Sequence, residues 1–218
     1  MKKAIMSLLL INILLLSIVP VFSFDAVDLK NEYQNDILAN VPLYFVENIG
    51  QISPSVRYYV EGVSFTAYFS DNAITYAYSY GEGNDSGIYV IRQEILGGNP
   101  NNILGVKKTE AKFNRFIGND PDKWVTDIPS YEGVLYENIY PGIDLYFYGA
   151  GRHIKYEFIV NSKPELIKML YSGQEALSID PKGNLLLETK VGTFKEERPY
   201  TYQIIEGEKK EIDSSFVI

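Results

Sequence analysis

From Leu43 onward the chain is built from short runs in which apolar and polar positions alternate with a period of two, each run closed by turn-forming residues. Phe65, Ala67 and Phe69 alternate with Thr66, Tyr68 and Ser70, and Ile74, Tyr76, Tyr78 and Tyr80 alternate with Thr75, Ala77 and Ser79. Ile143, Leu145 and Phe147 alternate with Asp144, Tyr146 and Tyr148. On the way back Ile154, Tyr156, Phe158 and Val160 alternate with Lys155 and Glu157. The turns between runs recur every 8–12 residues or so, the spacing of an all-β sandwich or barrel, and no alternation of strand with helix supports a parallel sheet. The expected fold is an all-β, antiparallel β-sandwich with a short N-terminal helix.

The punctuation is specific in three places. Tyr140-Pro141-Gly142 reads as a tight corner, since Pro141 presets φ and Gly142 accepts a positive one. Asp180-Pro181-Lys182-Gly183-Asn184 fits a type I turn with Gly183 at the left-handed position. Gly50, in Asn48-Ile49-Gly50-Gln51, marks another positive-φ site, and Gly149-Ala150-Gly151 is read as a chain reversal. Lys163-Pro164-Glu165-Leu166 is expected to form a single helical turn. Gly97-Gly98-Asn99-Pro100-Asn101-Asn102 is the most flexible connection by composition, and any seam within the domain belongs there.

The N-terminus differs from everything after it. Lys2 and Lys3 precede an apolar run from Ala4 to Val19, and Pro20-Val21-Phe22-Ser23 ends it with compact residues, the three parts of a secretory leader. The run is shorter than the roughly 20 residues that cross a bilayer core, so removal after Ser23 is expected rather than retention as an anchor. Residues 24–40 place Val27, Leu29, Tyr33, Ile37 and Leu38 on one face of a helical arm. Residues 41–218 are then one β-sandwich domain. No later stretch is apolar enough to span a membrane.

Charge and composition narrow the partners. Without the two leader lysines the balance is 18 basic against 28 acidic side chains, a net −10, and no basic stripe reverses it, which argues against nucleic acid. There is no cysteine, so thiol catalysis and Cys-ligated metals are excluded, and the core alone, or bound ions, must hold an exported fold. With His153 the only histidine, a triad or a multi-His metal site has at most one imidazole, and its place after a hairpin tip suits a polar surface residue.

Three constellations could carry chemistry. Glu137 and Asp144 flank the Tyr140-Pro141-Gly142 corner and are the candidate pair for glycoside hydrolysis; the competing reading is that Asp144 bonds the corner's amides. Tyr136, Asp144, Tyr146 and Tyr148 form a candidate sugar-stacking or ligand-binding surface. Asn119, Asp120 and Asp122 are the best oxygen cluster for calcium, without the spacing of an EF-hand, in a loop that ends at the only tryptophan, Trp124. No other cofactor is expected. Asn84-Asp85-Ser86 matches the N-glycosylation pattern.

Several motifs resemble a known family. They are Asn48-Ile49-Gly50-Gln51, Phe116-Ile117-Gly118-Asn119-Asp120-Pro121 with Trp124, and Tyr136-Glu137-Asn138-Ile139-Tyr140-Pro141-Gly142-Ile143-Asp144-Leu145. Tyr156-Glu157-Phe158 and Pro199-Tyr200-Thr201-Tyr202-Gln203 follow. Over Val41 to Ile218 the chain resembles the uncharacterised N-terminal domain of bacterial and archaeal cell-surface proteins that precedes SBBP-type β-propeller repeats. The resemblance implies an exported, envelope-associated β module with no assigned activity and no catalytic residues to carry over. The repeats are missing here, so the chain reads as a free-standing or truncated copy. The expected role is structural or protein-docking at the cell surface, with an envelope protein or a β-propeller as partner. A carbohydrate-binding module is the first rival and a glycoside-active enzyme the second.

Overall fold

In the computed structural model, residues 42–81 and 85–218 are described in full, together with the backbone of three short N-terminal strands. The helical arm expected at 24–40 and the glycosylation residue Asn84 lie outside the described residues. The N-terminal strands are β1 (Ala4–Leu8), β2 (Leu16–Val19) and β3 (Phe22–Ser23). A meander follows: β4 (Phe45–Glu47), β5 (Tyr58–Glu61), β6 (Phe65–Phe69), β7 (Ala73–Tyr80) and β8 (Gly87–Ile95). Next come β9 (Asn102–Lys108) and a small hairpin, β10 (Phe113–Arg115) and β11 (Val125–Ile128). The central run is β12 (Ser130–Tyr140), β13 (Ile143–Ala150) and β14 (His153–Val160), with β15 (Lys168–Ser172) after it. The chain finishes through β16 (Ala176–Ile179), β17 (Leu185–Thr189), β18 (Gly192–Glu196), β19 (Tyr200–Ile205), β20 (Glu208–Ile212) and β21 (Phe216–Val217).

Every strand pairing is antiparallel. One large sheet runs β20-β19-β2-β14-β13-β12-β4-β5-β6-β7-β8-β15-β1-β21. The long β12 gives one edge to β13 and divides the other between β4 and β9. The sheet curls onto itself, and the ring contacts show how far. Phe69 of β6 meets Phe147 of β13 at 5.1 Å between centroids, although three strands separate β6 from β13 in the sheet order. The Tyr156 hydroxyl of β14 likewise reaches Met169 Sδ of β15 at 3.6 Å, across the packed interior. A second sheet, β16-β17-β18-β3, closes on that interior, with Phe194 of β18 against Tyr78 at 4.4 Å. The antiparallel all-β expectation therefore holds, in the form of curled sheets around one continuous core that runs from Phe45 to Phe216.

The turns explain where strands stop. Gly142 has φ 74° and closes a two-residue connection between Tyr140 and Ile143, and Gly183 has φ 85° with its N–H on Asp180 O at 2.9 Å. Gly50 is at φ 117°, beside Asn48, whose side chain bonds four backbone groups of its loop. Pro164–Leu166 is the expected single turn, of 3-10 type.

Two expectations are corrected. The reversal after β13 sits at Gly151-Arg152, not Gly149–Gly151: Ala150 still pairs with His153, and Gly151 carries the positive φ of 60°. The 97–102 connection is no seam. Asn99 N–H bonds Ile139 O and Asn101 N–H bonds Glu137 O, at 2.9 and 2.8 Å, which ties the segment to β12.

Candidate functional site

β13 sorts its side chains by parity. Ile143, Leu145 and Phe147 point into the core, and Asp144, Tyr146 and Tyr148 point out, half-buried. The Tyr146 and Tyr148 rings lie 5.4 Å apart and within 18° of parallel. Tyr146 can lean across β12 because the residue there is Gly133: a Cβ would stand 2.7 Å from the Tyr146 ring and 2.4 Å from Phe147 O. Across the strands Tyr146 stands opposite Glu157 on one side and Leu135 on the other, and Leu135 opposite Leu104, which is 43% exposed.

The same outer face continues onto β19. The Tyr202 hydroxyl donates to Glu157 Oε1 at 3.2 Å, Tyr200 lies 5.7 Å from the Tyr202 ring, and Lys209 Nζ sits 4.1 Å over that ring. At the opposite margin Lys107 pairs with Glu132 at 3.1 Å. Burial, reinforced by Glu157, raises the Tyr148 hydroxyl above its ordinary range. Burial raises Tyr146 too, with Lys107 opposing. Both therefore stay protonated at neutral pH and can donate or accept. The result is an aromatic and aliphatic face with charged side chains around it.

The other sequence candidates fall elsewhere. Tyr136 does not join this face: it stands opposite Leu145, is fully buried against Phe147, and donates to Ser70 O at 2.8 Å. Burial drives its hydroxyl pKa far above 10. Asp144 accepts the Asn138 N–H at 2.7 Å, and Asn138 in turn accepts the Gly142 N–H at 3.2 Å, so the carboxylate serves the corner. Glu137 accepts from Asn102 Nδ2 at 2.9 Å. Both carboxylates lie on the outer side, each already bonded to its own neighbourhood.

In the 118–124 loop Asp120 caps a 3-10 turn through the Asp122 N–H at 3.2 Å and pairs with Lys123 at 3.4 Å. Among the described residues no cluster of three His, Asp or Glu could hold a metal. Trp124 closes this loop, donating to Gly118 O at 3.2 Å and meeting Phe116 edge-on at 5.1 Å. His153 is half-buried opposite Ala150.

Two features went unread in the sequence. One is a polar cleft of about 320 Å³ lined by asparagines 99, 101 and 102 and by the Arg57–Asp71 ion pair, which closes at 2.8 Å. It depends on register, which no local pattern reveals. The other is Glu196, fully buried in the core. It receives the hydroxyls of Tyr156 and of Tyr171, the latter at 2.5 Å, and Gln93 Nε2 donates onward to the Tyr171 oxygen at 2.9 Å. Burial raises its carboxyl from an ordinary 4.5 to about 8. Its signal was present, because Glu196 lies two residues from the core residue Phe194 on one strand.

Comparison with curated proteins and with solved structures finds no match to the chain. One family model matches residues 45–218, everything from the start of β4 to the end, and by that match the chain belongs to the family described as Domain of unknown function (DUF7948).

Proposed function

We propose that this chain is an exported, non-catalytic docking module held at the cell surface, which binds a partner protein through the outer face of β12, β13 and β14. The observation that carries the reading is the half-exposed, near-parallel Tyr146–Tyr148 pair, bordered by Glu157 and by the Lys107–Glu132 ion pair. An aromatic centre with a polar margin on the open side of a sheet suits another protein surface, whereas a small ligand is usually buried within a pocket. The leader-like first 23 residues support export. The Tyr136–Leu145 and Asn48–Gln51 motifs, which resemble the domain ahead of SBBP-type repeats, support a β-propeller or another envelope protein as the partner.

The test is retention on the envelope of an exporting host. Tyr146→Ala with Tyr148→Ala is expected to shift the protein from the cell surface to the medium. The apparent affinity should fall by about tenfold, roughly 1.4 kcal/mol, with the melting temperature little changed. Unchanged retention overturns the reading. Retention of the parent protein, but not the variant, by purified cell-wall polysaccharide replaces it with the carbohydrate-binding one.

A further inference from the structure

β2 lies inside the large sheet, not at its edge. Leu16, Ser17 and Ile18 stand opposite Val160, Ile159 and Phe158 of β14, while Leu16 to Val19 stand opposite Gln203 to Tyr200 of β19. β14 and β19 both run antiparallel to β2, so they are parallel to each other and joined only through it. β2 also belongs to the apolar run that the export reading removes after Ser23. A processed chain would therefore lose the strand that joins β14 to β19, leaving two facing rows of backbone donors and acceptors beside the core residues Phe158 and Val160.

The chemistry of this place says what fits it. Thr201, on the inward side of β19, is 1% exposed, and its Oγ1 is buried with no hydrogen-bond partner. Its register partner on β2 is Ile18, an apolar residue that offers it no bond. Position 16 stands between Val160, which is apolar and buried, and Gln203, while position 18 stands between Thr201 and the buried Phe158. At position 18 the Thr201 hydroxyl asks for a hydroxyl and Phe158 for apolar contact, which threonine offers together; an apolar residue at position 16 suits Val160, and β2 supplies only that.

We propose that on the exported chain the gap between β14 and β19 is a strand-acceptor slot, filled by an extended segment of a partner polypeptide that runs antiparallel to both. That segment carries an apolar residue at the Leu16 position and Thr at the Ile18 position, where its hydroxyl pairs with Thr201 and its methyl covers Phe158. Strand addition at this slot forms backbone hydrogen bonds on both sides, unlike addition at a sheet edge. The inference rests on removal of residues 1–23, which the function proposed above also assumes.

Intact mass of the protein recovered from an exporting host tests that assumption by itself: a chain beginning at Phe24 supports it, and retention of residues 1–23 overturns export processing. Amide exchange then reads the slot. In the processed protein, slot-facing amides of residues 158–160 and 200–203 are expected to exchange at least about tenfold faster than those shared by β13 and β14. A synthetic peptide of residues 13–19 should slow them, and the same peptide with Ile18→Thr should bind several-fold tighter. Slot amides already protected without peptide, whether by closure of β14 on β19, by another segment of the chain or by a second copy, overturn the proposal. So does equal binding of the two peptides. In the unprocessed chain Ile18→Thr should raise the melting temperature by a few degrees by satisfying the Thr201 hydroxyl, and a lower value overturns the Thr201 pairing.

Discussion

Tyr136 and Tyr148 are the same residue in the same hairpin, and their surroundings divide them. Tyr136 is sealed in the core with its hydroxyl on Ser70 O, while Tyr148 keeps contact with water beside Tyr146. Tyr136→Phe leaves a buried carbonyl without its donor and should cost about 1 kcal/mol in urea unfolding, whereas Tyr148→Phe should be neutral. Parity along β13 correctly puts Tyr146 and Tyr148 on one face. Carried back through the corner, where Tyr140 pairs with Ile143, the same parity puts Tyr136 inside: the pairing shifts between Tyr136 and Tyr140, where Asn138 takes φ 50°, but β12 gains two residues over β13 there. An even shift keeps each side chain on its own face, whereas a shift of one would have exchanged inside for outside.

At the level of elements, the β12–β13 hairpin holds the outer face in place, and Gly133 is the position it cannot change. A Cβ there would stand 2.4 Å from the backbone oxygen of Phe147, which cannot move without breaking the ladder. Gly133→Ala should destabilise the fold by about 2 kcal/mol or more in thermal unfolding and should disturb the Tyr146 ring. Gly207→Ala, at φ 85° with open space around its Cβ, carries only the backbone penalty of roughly 1 kcal/mol. Turns of this kind were legible: Gly50, Pro141-Gly142 and Gly183 fall where expected, because a positive φ is a property of one residue. β9 was not legible. Asn102–Lys108 has no clean alternation and Lys107 sits at φ 55°, so its strand character comes from the six partners it finds on β12.

For the whole molecule, Glu196 joins the smaller sheet to the interior of the larger one through Tyr156 and Tyr171. Its folded pKa is about 8 and its ordinary value 4.5, so between those pH values the unfolded chain binds fewer protons than the folded one. Stability contributed by the neutral carboxyl is therefore full below about pH 4.5, falls as pH rises, and levels off above about pH 8. The loss amounts to a few kcal/mol at roughly 1.4 kcal/mol per pH unit. Glu196→Gln should flatten the slope in chemical unfolding measured from pH 4 to 9, and should make the variant the more stable protein at the alkaline end.

What the amino-acid order settled by itself was local: an all-β chain, the parity of Tyr146 and Tyr148, and the corners at Gly142 and Gly183. Alternation and a positive φ concern neighbouring residues and survive any arrangement of the rest. The assembled fold alone decided that the large sheet curls until Phe69 meets Phe147, that Glu196 is buried among tyrosines, and that the Thr201 hydroxyl is left unpaired inside the sheet. Those outcomes depend on which distant surfaces exclude water together, and that free energy exists only once the strands have met.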